Sequence, residues 1–171
     1  MTIAAMRFAL TSVLGLASVA LAATGAGAAH AQEISADQAA AVRQGVQATL
    51  DAYHALGAAG QWDALMRLYA DDPRFRWVAN GTIEARSVDE IRRYFLALSP
   101  GTRVETIYQD AEITPLSPDI AQAVTSFQTR VVDPNGKGFG FGGILTMTFV
   151  KRADGWKILN GHSSSPIHRP Q

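Results

Sequence analysis

The second half of the chain is written for strands. Four long stretches, Arg103–Thr114, Ile120–Val132, Phe139–Arg152 and Trp156–Ser164, are rich in β-branched and aromatic residues that alternate with polar ones, the pattern of half-buried strands. Between them stand only Pro115-Leu116-Ser117-Pro118, Asp133-Pro134-Asn135-Gly136 and Ala153-Asp154-Gly155. Turns that short leave no room for a crossover, so consecutive strands pair antiparallel as a meander. Such a sheet needs cover for its apolar face, and the helix-forming sequence lies upstream of it.

The upstream half supplies three helices and a hairpin. Ser35 and Gln38 have the spacing of a capping box, and Val42, Val46, Thr49, Leu50, Tyr53 and Leu56 recur on one face of a helix over Ala36–Ala58. Gly60 stops it. Trp62, Leu65, Met66 and Tyr69 mark a short second helix that Asp71-Asp72-Pro73 ends. Phe75 and Trp77 then alternate with Arg74 and Arg76, and Asn80-Gly81 predicts a tight hairpin returning through Thr82–Ala85. Ser87 and Glu90 form a second capping box, ahead of a third helix with Ile91, Tyr94, Phe95 and Leu98 on one face and Pro100-Gly101 at its end. Helices first and a long sheet later define an α+β domain, with the helices packed on one face of the sheet.

Residues 1–31 read as an export signal. Arg7 precedes an apolar, small-residue run from Phe8 to Ala23, and Ala29-His30-Ala31 has the form of a cleavage site. The expected mature chain, 32–171, is one domain with its core over about 36–166, placed in the periplasm or secreted. Removing the signal leaves 15 acidic and 14 basic residues, a net charge of −1. The bases are scattered, which argues against nucleic acid and against anionic membrane surfaces. With no cysteine, disulfides, thiol catalysis and cysteine-held zinc are excluded. No two histidines have ligand spacing, so no metal is expected. The tail Ile167–Gln171 is expected to be loose.

The order of these elements resembles the nuclear transport factor 2-like superfamily, also called the cystatin-like α+β cone. Leu68-Tyr69-Ala70-Asp71-Asp72 is similar to the end of its second helix, and Ser87-Val88-Asp89-Glu90-Ile91 to the start of its third. Asp154-Gly155-Trp156-Lys157-Ile158 with His162-Ser163-Ser164 resembles the closing strand of the SnoaL-like branch, which includes the association domain of calcium/calmodulin-dependent kinase II. The resemblance implies a cone-shaped curved sheet, a cavity between sheet and helices, and a homodimer across the open sheet face. It spans isomerases, dehydratases, cyclases and assembly domains, so fold alone leaves function open.

Within that resemblance, Tyr53 matches the tyrosine donor of the ketosteroid isomerase branch. Trp77 stands where that branch has its aspartate base, and Thr146 or Met147 where it has its second acid. None of these three can accept a proton near neutral pH, which excludes that chemistry. Strict alternation along the last strand puts Trp156, Ile158, Asn160, His162 and Ser164 on one face, the face that Trp156 and Ile158 mark as buried. His162 and Tyr53 are thus the candidate catalytic residues. Trp77, Tyr94, Phe127, Asn160 and Ser164 are the candidate ligand-binding residues. The bland alternative for His162 is a hydrogen-bonded structural histidine, and for the aromatic residues simple core. Phe139-Gly140-Phe141-Gly142-Gly143 lacks the helix and Lys-Ser/Thr of a phosphate loop and predicts a bulge or bend.

The expectation is therefore an exported domain that binds a small, mostly apolar organic molecule without a cofactor. An isomerase, cyclase or dehydratase activity stays open. The alternative is a non-catalytic homodimeric module that buries the outer sheet face around Thr146, Thr148 and Val150.

Overall fold

Ser35 caps the first helix as its spacing requires: its hydroxyl accepts from Gln38 N and the Gln38 side chain accepts from Ser35 N. In the computed structural model, which describes residues 34–166, helix α1 runs Ala36–Ala58 and the short α2 Trp62–Met66. The expected export signal and the tail Ile167–Gln171 lie outside the described residues. Strands β1 (Arg76–Ala79) and β2 (Thr82–Ala85) form the hairpin, closed by Asn80 and Gly81 at φ of 48° and 86°. Helix α3 spans Val88–Leu96. Its box is incomplete: Ser87 Oγ accepts from Glu90 N, but the Glu90 carboxylate reaches past the cap to Arg86 N.

The meander follows as β3 (Arg103–Ser117), β4 (Ile120–Val132), β5 (Gly138–Arg152) and β6 (Gly155–Ser164). The six strands make one curved, unclosed sheet in the order β2-β1-β6-β5-β4-β3, antiparallel except where β1 runs parallel to β6. The α+β class and the meander stand as expected. The first β-turn is tighter than expected, because β3 continues through Pro115 to Ser117. Pro115 is tolerated there because β3 is the sheet edge.

Two irregularities decide which side chains face inward. In β3 an extra residue stands between Gln109 and Glu112, where Asp110 has φ 53°. Upstream of it Val104, Thr106 and Tyr108 face in; downstream Ala111 and Ile113 do. In β6 Ile158 pairs with Phe149 but Asn160 pairs with Thr148, so Leu159 is an inserted residue. The insertion marks a change of neighbour. Ile158 exchanges main-chain hydrogen bonds with Leu68 and Ala70, and β1 begins pairing only at Asn160. Helices α1 and α2 meet the inner sheet surface in one cluster in which Val46, Leu50, Leu65, Phe75, Met147, Phe149 and Ile158 are each fully buried. Trp156 packs across α1 at Gly45.

The insertion at Leu159 overturns one expectation. Trp156 and Ile158 face inward as expected, but the phase flips after Leu159. Gly161 and Ser163 now point in, while Asn160, His162 and Ser164 lie on the outer face beside Thr148, Thr146 and Ile144. His162 is exposed. Strict alternation fails because one added residue exchanges the faces of everything beyond it. The glycine-rich start of β5 is different: its register against β4 is unbroken, so no bulge stands there.

Candidate functional site

A cavity of about 420 Å³ lies between the inner sheet surface and α3. Its walls follow from the register. Val104, Val131 and Phe139 are aligned across β3, β4 and β5 and form the outermost layer. Thr106, Thr129 and Phe141 form the next, and Tyr108 and Phe127 the third. Tyr53 of α1, Tyr69 after α2 and Leu145 of β5 close the inner end, and Ile91, Tyr94, Phe95 and Leu98 of the α3 segment form the facing wall. A cavity of this size and lining suits a small organic molecule.

Trp77 occupies the side of the cavity for a specific reason. It pairs with Gly161 across β1 and β6, and a Cβ on Gly161 would stand 2.1 Å from the indole ring. Only a residue without a side chain lets the ring lie flat on the strand.

The polar groups of the cavity are few. Tyr69 Oη donates to Tyr53 Oη at 3.1 Å, and the Tyr53 ring meets Tyr69 and Tyr108 edge-on at 6.1 and 6.0 Å. Burial raises the Tyr53 hydroxyl above its ordinary pKa, with the Tyr69 hydrogen bond acting the other way. Burial, followed by the proximity of Tyr53, raises Tyr69 and Tyr108 well above theirs. All three therefore stay neutral hydrogen-bonding hydroxyls through the physiological range. Thr106 and Thr129 share a buried hydroxyl pair at 3.0 Å, and Ser163 supplies a further hydroxyl. Among the described lining residues the one carboxylate is Glu84, exposed on the rim, where the Tyr94 hydroxyl donates to its main-chain oxygen at 2.8 Å.

Of the expected site residues, Tyr53, Trp77, Tyr94 and Phe127 line the cavity together. His162, Asn160 and Ser164 do not join them. His54 is exposed, its Nδ1–H donating to Thr106 O at 2.8 Å. Thr146 is on the outer face and Met147 in the core. Sequence reasoning missed Tyr69, Tyr108, Glu84 and Ser163. The alternation Val104-Thr106-Tyr108 carries the signal for Tyr108; Ser163 was hidden by the inserted Leu159. No group of three or more His, Asp or Glu side chains among the described residues has a metal-holding arrangement.

The SnoaL-like domain family matches residues 46–168. A protein from Xanthomonas campestris assigned as a calcium/calmodulin-dependent protein kinase II association domain is 25% identical, with 72% of this chain and 87% of that one covered at a TM-score of 0.60. A nuclear transport factor 2-like superfamily protein from Salmonella enterica serovar Typhimurium is 17% identical over 77% of this chain and 95% of that one, TM-score 0.63. A protein from Novosphingobium aromaticivorans assigned as a scytalone dehydratase is 14% identical over 79% and 99%, TM-score 0.64. The latter two show the shared fold alone. No curated protein matches the chain significantly.

Proposed function

The chain belongs to the SnoaL-like domain family, and from that membership we propose that it binds a small, largely apolar organic molecule in the cavity between sheet and α3. The observation that carries this reading is the cavity itself, some 420 Å³ walled by aromatic rings with a neutral tyrosine pair at its inner end. The rings supply apolar burial, and the Tyr53–Tyr69 pair supplies hydrogen bonds to a ligand oxygen that reaches them. Proton transfer of an isomerase, cyclase or dehydratase kind would rest on these hydroxyls as donors. His162 stands on the far side of the sheet and Glu84 only at the rim. On the pattern of residues 1–31 alone, the same proposal puts the domain in the periplasm or outside the cell.

Isothermal calorimetry with naphthylethanol tests the binding. The wild type takes up the probe, and Val131→Trp, which fills the outermost layer, weakens it about tenfold or more. Absence of binding to the wild type, or equal binding by the folded variant, contradicts the proposal.

A second reading is favoured by one feature. Ile107, Val124 and Ile144 are exposed on the outer sheet face, at 51%, 39% and 50%. We propose that a second copy of the chain covers this face, and that His162 and Thr146 lie within the contact. A strictly monomeric species by analytical ultracentrifugation at micromolar concentration contradicts it.

A further inference from the structure

We propose that the molecule bound in the cavity carries a basic nitrogen at its solvent end, held at the mouth by the Glu84 carboxylate and the ring of Tyr94. The inference rests on the binding proposed above and adds the ligand's charge. Three observations point to it. First, among the described lining residues Glu84 is the one with a formal charge; no lysine, arginine or histidine lines the cavity. A carboxylate ligand would therefore meet a negative rim with nothing to neutralise it, whereas an ammonium group meets a partner.

Second, Tyr94 is fixed to the residue that carries that carboxylate. Its hydroxyl donates to the Glu84 main-chain oxygen at 2.8 Å, so the ring is anchored at the rim although 54% of the residue is exposed. Phe139 and Phe141, stacked on the opposite lip with centroids 6.2 Å apart, are 65% and 46% exposed. Ring faces attract cations through their quadrupole, and a carboxylate beside such rings adds direct charge recognition. Third, Arg92 and Arg93 of α3 and Arg103 at the start of β3 have acids of their own. Arg92 pairs with Asp63 at 2.6 Å, Arg93 with Glu90 at 3.8 Å and Arg103 with Glu105 at 3.5 Å. Among the described residues Glu84 has no such ion pair.

The experiment uses three probes of one shape and different charge: naphthylethylamine, naphthylethanol and naphthylacetate, each titrated calorimetrically into the purified protein at pH 7 and low ionic strength. The amine binds about tenfold more tightly than the acetate, with the alcohol between them. In Glu84→Gln that amine-to-acetate ratio collapses toward one, and added salt lowers it in the wild type. Glu84 is exposed, so the variant is expected to fold. If the alcohol binds but the acetate binds as well as the amine, the charge inference is overturned while the cavity reading stands. A wild-type ratio that Glu84→Gln leaves unchanged overturns the assignment to Glu84. If none of the three binds, both fall.

Discussion

Gly161 shows how much one residue controls. Its missing side chain is what admits the Trp77 indole to the cavity wall. Gly161→Ala must displace either the ring or the β1–β6 pairing. The expected loss is about 1–3 kcal/mol in urea unfolding, with a shifted Trp77 emission. The tyrosines make a second prediction at this scale. Burial raises the pKa of Tyr53, Tyr69 and Tyr108, so all three are neutral in both folded and unfolded chains below the ordinary value of 10.0. Above it the unfolded chain loses protons that the folded chain keeps, and stability falls as pH rises. Phenolate absorbance from these three should therefore be missing at pH 10 and emerge together with unfolding at higher pH. Smooth ionisation of all tyrosines near 10 in the folded protein would contradict their burial.

At the scale of elements, the extra residue in β6 is the decisive feature, and its consequence is directly testable. His162→Ala, on the outer face, should leave naphthylethanol affinity within about twofold, whereas Ser163→Leu, one residue on and inward, should abolish it. The reverse result would restore strict alternation along the strand. That extra residue has no signature in the sequence. Capping spacing at Ser35, the Asn80-Gly81 turn and the helical stripe from Val42 to Tyr53 are local signals, and local signals located the elements. The insertion at Leu159 is set by tertiary partners, Leu68 and Ala70 before it and β1 after it. No periodicity within β6 encodes those partners. Tyr53, Trp77, Tyr94 and Phe127 are legible because helix face, hairpin phase and the unbroken alternation of β4 hold, whereas His162, Asn160 and Ser164 are displaced together by one residue. A second element-scale device is Asp72, just before β1. It pairs with Arg74 at 2.8 Å and with Arg152 of β5 at 3.1 Å, tying the α2–β1 loop to the sheet. The Arg74 hydrogen bonds hold its carboxyl well below the ordinary 3.8, so the stabilisation is present at neutral pH and lost as pH falls below about that value. Asp72→Asn should lower Tm at pH 7 and flatten part of the acid-side decline in Tm.

For the described domain as a whole, sheet and helices divide the work. The β4–β5 half and Ile158 build a tight core with α1, while the outer ends of β3, β4 and β5 extend toward α3 and leave the cavity open between them. The packed core thus sits at one end and the open cavity at the other. The proposed function requires that small apolar molecules bind in this space. Intermolecular nuclear Overhauser contacts between naphthylethanol and the protein's methyl groups test it most directly. Contacts are expected to Ile91, Leu98, Val131 and Leu145, which line the cavity. Contacts confined to Ile107, Val124 and Ile144 on the outer sheet face would contradict it.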